Sequence, residues 1–143
     1  MKYLLDTNII SEFVSKRPNY KVLDYIDSLD ENSIYLSVIT IGEIIFGIKK
    51  LDKSSKSKKI EKLLEWVEND LIARFEGRIV EIDLEIMIKW GEINAKLQKL
   101  GRPLPIMDSL IASSCLVKDL ILITRNTKDF YNIDLKIINP FEM

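Results

Sequence analysis

Four acidic residues are the first candidates for chemistry, because each lies within an apolar segment of the chain or shortly after one. Asp6 ends the short apolar run that opens the chain, and Glu43 and Asp108 lie early in two apolar helical segments. Asp129 comes five residues after Thr124, where another apolar run ends. An unpaired carboxylate in apolar surroundings is costly, and a bound divalent cation removes that cost. The four acids together therefore predict a site for a hard cation.

Each acid also has an ordinary structural explanation. Asp6 is suited to capping a helix, and the spacing of Thr40 and Glu43 matches a capping box. Asp108 would interact favourably with the dipole of its own helix, and Asp129 would suit a turn. A capping acid normally faces water, however, whereas Glu43 and Asp108 lie among apolar residues with few Lys or Arg close in sequence. These apolar surroundings weigh against the interpretation that the four acids have only separate, local structural roles.

The composition limits the available chemistry. The chain has 143 residues, of which 47% are hydrophobic and 30% are charged, and its formal net charge is −1. These values suit one soluble domain spanning residues 1–143 and do not indicate a broadly basic nucleic-acid binder. Histidine is absent, which excludes imidazole-based acid–base catalysis. The single cysteine, Cys115, is predicted to be a small core residue. Carboxylates without imidazole favour Mg²⁺ or Mn²⁺.

The start of the chain does not resemble a secretion signal. The apolar run after Lys2 is only three residues long before Asp6, and no stretch of the sequence approaches the length of a membrane span. We therefore expect a cytoplasmic protein.

Apolar runs of two kinds alternate along the chain and predict an α/β fold with a parallel sheet. In such a sheet, ligands bind beyond the carboxyl ends of the strands, which is where Asp6 would lie. The predicted strands are 3–5, 34–37, 78–82, 120–124 and 135–138, and the predicted helices are 8–13, 22–29, 38–48, 60–75, 83–100 and 106–118.

Two further patterns allow more than one interpretation. The Lys- and Ser-rich stretch 49–59 is a loop or the solvated start of a helix, and a solvated face is favoured over a phosphate-binding patch. Ile86, Trp90, Ile93 and Leu97 recur at helical spacing and form a stripe that serves either the core or a partner; the core is favoured.

Four motifs taken together resemble the PIN domain, and more narrowly the VapC/FitB-like toxins of type II toxin–antitoxin pairs. The match runs from Leu4 to the closing 139–141 and covers nearly the whole chain. The motifs that carry it are Leu4-Leu5-Asp6-Thr7-Asn8, residues 36–43 ending in Gly42-Glu43, Asp108-Ser109-Leu110-Ile111-Ala112 and residues 124–130.

The resemblance implies a fold, an activity and a set of site residues. The fold would be a three-layer α/β/α sandwich around a mainly parallel sheet of four to five strands. The activity would be that of a Mg²⁺-dependent endoribonuclease, with Mn²⁺ as a substitute. Asp6, Glu43 and Asp108 match the three acidic positions and would hold the metal, and the fourth position falls either on Asn126 or on Asp129. We favour Asp129 as the fourth catalytic acid.

Supporting groups and partners are also implied. Asn126, Thr124 and Asn8 would assist the acids, while Arg125, Arg102 and lysines near Lys49 would hold flanking phosphates. The resemblance further implies a small antitoxin that covers the cleft, operator DNA bound only through the antitoxin complex, and a homodimer.

Two other functions remain open from the sequence alone. A phosphatase of the haloacid dehalogenase type also places an acid after its first strand, but it needs a second Asp two residues on, where this chain has Asn8. A PIN scaffold that binds RNA or an antitoxin without cutting is the other alternative, since Asn126 offers only a neutral ligand.

Overall fold

The computed structural model describes residues 1–51 and 53–143, with the side chains of residues 53–56 outside the description. Strands and helices alternate through most of it. The strands are β1 (Tyr3–Leu5), β2 (Ile34–Ser37), β3 (Ile79–Val80), β4 (Ile121–Ile123) and β5 (Ile137–Ile138). The helices are α1 (Thr7–Ile10), α2 (Tyr20–Asp27), α3 (Val38–Lys49), α4 (Lys53–Glu65), α5 (Ile72–Arg74), α6 (Leu84–Lys99) and α7 (Ile106–Lys118), with a π-helix at Trp66–Leu71 and 3₁₀ turns at Ser11–Val14, Glu31–Ser33, Thr127–Phe130 and Pro140–Glu142.

The five described strands form one parallel sheet in the order β3-β2-β1-β4-β5, which confirms the predicted sheet. From β1 the chain builds outward through β2 to β3, and the later strands β4 and β5 extend the sheet on the other side. The strand order therefore reverses between β1 and β4. Ligand-binding crevices of open α/β sheets lie at such a switch point, beyond the carboxyl ends of the strands.

Two apolar cores cover the two faces of the sheet and make the three predicted layers. Successive side chains of a strand point to opposite faces, so Tyr3 and Leu5 enter one core while Leu4 enters the other. The first core packs against α1, α2 and Phe75, and the second packs against α7. Cys115 is a buried free thiol of the second core, as predicted.

Both edge strands are shorter than predicted, and β3 is shorter because its partner strand ends. Residues 81–82 were predicted to extend β3, but β3 pairs only with β2, and the last pair joins Ser37 to Val80. Ser37 then caps α3, so no backbone remains for the next residues to pair with. At the opposite edge, pairing of β5 is limited to Ile137 and Ile138.

Several helix boundaries also differ from the prediction. The helix predicted at 8–13 begins at Thr7 and tightens into a 3₁₀ turn after Ile10. The segment 60–75 is not one regular helix, since α4 begins earlier, at Lys53, and passes into a π-helix. Lys58 and Lys59 are exposed, in agreement with a solvated face. The prediction of a solvated face covered the whole stretch 49–59. Within it, residue 52 and the side chains of residues 53–56 lie outside the described residues.

The α6 stripe serves the core, as the pattern favoured. Ile86 and Leu97 are buried, and the Trp90 indole donates a hydrogen bond to Ser109 Oγ on α7 at 2.9 Å. Leu100, the residue that caps the C-terminus of α6, is 55% exposed and lies outside the core.

Among the described residues, no helix is long and apolar enough to cross a membrane.

Candidate active site

Asp6 occupies the switch point and also caps α1, so the structural and the functional interpretations hold together. It is the first residue after β1 and is only 5% exposed. One carboxylate oxygen accepts a hydrogen bond from the Thr7 backbone N–H at 2.8 Å, and the other accepts from the Thr124 hydroxyl at 2.7 Å. Burial raises the pKa of the Asp6 carboxyl, these hydrogen bonds oppose the rise, and the charge of Asp129 adds to it.

Asn8 links the loops that follow β1 and β4. Its amide Nδ2 donates to Asp6 Oδ2 at 3.3 Å and lies 3.2 Å from Thr124 Oγ1. Its Oδ1 accepts from the backbone N–H of Arg125 at 3.1 Å. An amide can do both because it carries a donor and an acceptor, whereas a carboxylate at this position could only accept. The supporting positions predicted for Asn8 and Thr124 are thus in direct contact with Asp6.

Glu43 reaches the cluster from α3 through a threonine that the sequence interpretation left out of the site. The Thr7 hydroxyl donates to Glu43 Oε1 at 2.7 Å. The hydroxyls of Thr7 and Thr40 lie 3.2 Å apart, and because the single Thr7 proton is used by Glu43, Thr40 donates to Thr7. The signal was in the sequence, as a hydroxyl residue directly after Asp6.

The capping box considered for Thr40 and Glu43 does not form. Ser37 is the cap of α3, and its hydroxyl accepts from the Ile39 N–H at 3.0 Å. Thr40 is the third residue of α3 and is fully buried. Its hydroxyl and the Glu43 carboxylate are therefore both free of capping and directed to the site.

Asp108 lies in the first turn of α7 and is electrostatically coupled to the other acids. The pKa of its carboxyl is raised from 3.8 to about 6, first by burial and then by the charges of Asp6, Glu43 and Asp129. Four acids from four separate segments of the chain thus converge on the carboxyl end of the sheet. Such mutual repulsion is typical of carboxylates gathered at a functional site.

The fourth acidic position lies on the 3₁₀ turn that follows β4. Asp129 is exposed, and its charge acts on both Asp6 and Asp108. Asn126 is exposed too; its backbone N–H donates to Thr124 Oγ1 at 3.1 Å, and its side chain makes no capping bond. The charge of Asp129 supports this residue, and not Asn126, as the fourth acid of the site. That assignment stays a prediction.

The two predicted phosphate-binding arginines are placed differently. Arg125 follows Thr124 directly, is exposed, and lies 4.8 Å from the centroid of the Phe141 ring. Its carbonyl also accepts from Asn139 at 3.3 Å, so the chain terminus supports it. Arg102 is exposed in the loop before α7, and no described hydrogen bond or ion pair joins its side chain to the acids. The role predicted for Arg102 stays a prediction.

The acids suit a cation, with a limit on how it is bound. Carboxylate oxygens are the hard ligands that divalent cations prefer. A bound cation would also relieve the repulsion that raises the pKa values of these carboxyls. Among the described residues, however, no group of three or more such side chains is placed to hold an ion together. Mg²⁺ commonly binds through one or two carboxylates and keeps several waters, which fits this spacing. The three-ligand set of Asp6, Glu43 and Asp108 stays a prediction.

Two of the larger pockets lie at the other end of the sheet. Cavities of about 420 and 570 Å³ are lined by Lys2 and Leu120, which precede β1 and β4. A groove of about 260 Å³ contains Glu43 and Thr7. Pocket volume alone would therefore place the functional site away from the acids. The acidic side chains indicate the smaller groove instead.

Comparison with known proteins agrees with this geometry. The PIN domain family matches residues 3–136, and the chain belongs to that family. It is 33% identical to the toxin FitB of Neisseria gonorrhoeae, over 96% of this chain and 97% of FitB. It is 30% identical to the VapC ribonuclease Y4jK of Sinorhizobium fredii, over 97% of both chains. A solved structure of FitAB bound to an IR36 DNA fragment superposes with a TM-score of 0.89 and 30% identity, over 99% of this chain and 96% of that one.

Membership of the PIN family excludes the haloacid dehalogenase alternative and confirms the resemblance seen in the motifs. PIN-domain nucleases are generally metal-dependent.

Proposed function

We propose that this protein is the toxin of a type II toxin–antitoxin pair and acts as a metal-dependent endoribonuclease. The observation that carries the proposal is the convergence of four acids from separate segments, expressed in the raised pKa of Asp108 near 6. Two relatives that match nearly the whole chain are described as a toxin and as a ribonuclease. The absence of histidine fits hydrolysis that uses carboxylates and a metal.

The residues divide the work of phosphodiester hydrolysis among them. Asp6 and Asp108 would hold Mg²⁺, or Mn²⁺ as a substitute. When bound, the metal supplies Lewis-acid polarisation of the phosphate and a more acidic bound water. Glu43, held by Thr7, is positioned to orient the attacking water and accept its proton.

The phosphate and the cluster are held by neighbouring groups. The N-terminus of α7 and the exposed Arg125 favour the phosphate, and Asp129 is the fourth acid of the cluster. Thr124 and Asn8 fix the Asp6 carboxylate through the hydrogen bonds described above.

The proposal includes partners. A small antitoxin would keep the toxin inactive by covering the cleft, and only the complex would bind operator DNA, since the toxin itself has a net charge of −1. The toxin would act in the cytoplasm as a homodimer.

The test is cleavage of RNA by the purified toxin, freed of antitoxin, with Mg²⁺. Asp6→Asn should abolish cleavage of tRNA, rRNA and mRNA substrates while circular dichroism and the melting temperature show an intact fold. Asp24→Asn, which changes an exposed acid on α2, is the matched control and should cleave like the wild type. Full activity in Asp6→Asn would refute the assignment of the site. No cleavage by the wild type on any substrate would instead favour the non-cleaving binder.

A further inference from the structure

The first turn of α7, which contains Asp108, begins without a side-chain cap. Pro105 precedes this helix and makes no capping hydrogen bond, because a proline side chain carries no polar atom. The first amide groups of a helix have no partner within the helix, so a first turn without a cap is held less firmly by its own segment of the chain. The position of Asp108 therefore depends on contacts with other elements.

One such contact joins this turn to α6 through two side chains. The Trp90 indole donates a hydrogen bond to Ser109 Oγ at 2.9 Å, and the Ser109 hydroxyl donates to the Ile106 carbonyl, also at 2.9 Å. Ser109 is fully buried, so water is not available to replace the indole as its partner. The two bonds connect the middle of α6 to the first residue of α7.

Ser109 and Asp108 are neighbours in sequence but face different surroundings. Successive residues of a helix are about 100° apart around its axis, so that Ser109 reaches α6 while Asp108 faces the acid cluster. The charges of Asp6, Glu43 and Asp129 act on the Asp108 carboxyl. A displacement of the turn at Ser109 would therefore move Asp108 relative to the other acids.

A second bond joins the two helices at the end far from the acids. Lys118, the last residue of α7, donates at 2.8 Å to Asp83, which caps the N-terminus of α6. Ser109 and Lys118 are nine residues apart, which is about 14 Å along a helix. Of these two bonds, the one from Trp90 lies beside the acid.

We propose that Trp90 is a positioning residue for Asp108: its indole N–H holds the uncapped first turn of α7 so that Asp108 stays directed at the other acids, where it would hold the metal. Trp90 itself contacts neither the metal nor RNA in this role. Loss of a group behind a metal ligand commonly lowers metal affinity or activity by about 10–100-fold. Here the link passes through the backbone of Ser109, so the lower value applies. The inference rests on the proposed nuclease function.

A packing role alone is the other interpretation of Trp90, since Ile86 and Leu97 of the same stripe are buried. In that case the ring volume would matter and the N–H would not. Two substitutions separate the interpretations. Trp90→Phe removes the N–H together with part of the ring, whereas Ser109→Ala removes the acceptor and leaves the indole in place.

The test compares RNA cleavage and metal binding in the full-length protein, at a temperature where every variant is folded. Trp90→Phe and Ser109→Ala should each lower kcat about tenfold, with KM for RNA changed by less than about twofold. Mn²⁺ binding, measured from the electron paramagnetic resonance signal of the free ion, should weaken about tenfold in both variants. Because the two residues act through one bond, the double variant should also lose about tenfold and not about a hundredfold.

Hydrogen exchange of the native protein gives a measurement that needs neither RNA nor metal. The Ser109 amide donates to the Pro105 carbonyl at 3.0 Å, and opening of the first turn exposes it to solvent. Exchange of this amide should be faster in Trp90→Phe by up to about tenfold, the net value of one hydrogen bond. Exchange near Lys118 should be unchanged.

Two matched controls complete the design. Lys118→Gln removes the other bond between the two helices, and Ser114→Ala removes a buried hydroxyl of α7 that donates to the Leu110 carbonyl at 2.8 Å. Neither should change kcat or Mn²⁺ affinity. Wild-type kcat and Mn²⁺ affinity in folded Ser109→Ala would overturn the proposal, whatever the behaviour of Trp90→Phe. An equal loss in Lys118→Gln, or a hundredfold loss in the double variant, would overturn it too.

The two proposals can fail independently. Absence of cleavage by the wild type, with Mn²⁺ binding and exchange that still depend on Trp90, would overturn the nuclease function and leave the positioning role in place. Cleavage by the wild type that is unchanged in Ser109→Ala would do the reverse.

Discussion

At the scale of single residues, hydroxyl groups organise the acid cluster. The Thr124 hydroxyl donates to Asp6 and the Thr7 hydroxyl donates to Glu43, both at 2.7 Å. Hydrogen bonds to ionised groups are stronger than those between neutral ones, so each threonine restricts one carboxylate. Thr40 in turn restricts Thr7. The orientation of Glu43 thus depends on two side chains that carry no charge.

Removal of the Thr7 hydroxyl should therefore slow catalysis. Thr7→Val keeps the shape of the side chain but removes the donor to Glu43, and a hydrogen bond to a charged group is worth about 1.5–3 kcal/mol. If about half of that acts on the transition state, kcat falls by about four- to twelvefold, with a smaller change in KM for RNA. Thr7→Ser, which keeps the donor, should retain most of kcat. Equal kcat values in Thr7→Val and the wild type would show that Glu43 does not need this bond.

Asp108 should make stability depend on pH. Its folded-state pKa of about 6 lies above its ordinary value of 3.8, so the folded protein retains a proton that the unfolded chain releases. The free energy of unfolding therefore falls as pH rises from about 4 to about 6 and stays lowered above that range. Asp108→Asn should remove this loss. A shift of about two units corresponds to about 3 kcal/mol, and solvent screening of this half-buried group reduces the expected gain at pH 7 to about 1 kcal/mol.

Urea denaturation of metal-free protein at pH 7 and at pH 4 measures this effect. The stabilisation by Asp108→Asn should be present at pH 7 and absent at pH 4, where the carboxyl is protonated in the folded state and close to its ordinary pKa in the unfolded chain. A gain of the same size at both pH values would mean that charge repulsion is not its cause.

At the scale of elements, the antiparallel pair α6 and α7 places Asp108. The helix α6 ends in a Schellman motif: Gly101 donates to the Gln98 carbonyl at 3.0 Å and Arg102 donates to the Leu97 carbonyl at 2.9 Å. Gly101 has φ of 68°, a conformation that side chains rarely adopt. The chain then reverses into α7, whose first turn is attached to α6 by the bond from Trp90 to Ser109.

Substitution by alanine should change stability in opposite directions at two glycines, Gly101 at the end of α6 and Gly91 in its middle. Gly101→Ala should lower the free energy of unfolding by about 1 kcal/mol, because the left-handed conformation disfavours a Cβ. Gly91→Ala should raise it by about 0.5–1 kcal/mol, because alanine is the better helix former and its Cβ would meet nothing within 4 Å. Thermal and urea denaturation of both variants measures the pair. A stabilising effect of Gly101→Ala would contradict the left-handed conformation of Gly101 at the end of α6.

At the scale of the whole molecule, the sheet brings together acids that are far apart in sequence. Asp6 follows β1, the central strand, and Asp129 follows the neighbouring β4. Glu43 and Asp108 arrive on α3 and α7, which cover parts of the same edge. This arrangement costs stability through repulsion when no cation is present, and the other end of the sheet carries none of the four acids.

Added Mg²⁺ or Mn²⁺ should therefore raise the melting temperature. A ligand that binds only the folded state stabilises it by mass action, and here the ion also relieves the repulsion among the acids. The shift should be lost in Asp6→Asn and kept in Asp24→Asn, and it should be smaller at pH 5 than at pH 7, because protons compete for Asp108 below its pKa of about 6. Equal shifts in wild type and Asp6→Asn would place the ion elsewhere.

Local patterns in the sequence were enough to predict the α/β class, most of the helices and the identities of the acids. Short apolar runs with β-branched residues, helical spacing and glycine stops act over a few residues, so the sequence contains them directly. The four motifs together were enough for the PIN family, which the match to residues 3–136 confirms. The C-terminal boundary of β3 was not predictable in this way, because it depends on where the neighbouring strand β2 ends.

Only the tertiary structure decided how the acids are used. The sequence around Asp6 suits either a helix cap or a site residue, and the structure shows that its carboxylate does both, since the Thr7 N–H binds one oxygen and the Thr124 hydroxyl the other. The bond from Thr7 to Glu43 and the charges acting on Asp108 join residues that are tens of positions apart. Distances of this kind arise when strands pair and helices pack against them. They are therefore set by the packing of the whole chain, which no local pattern in the sequence contains.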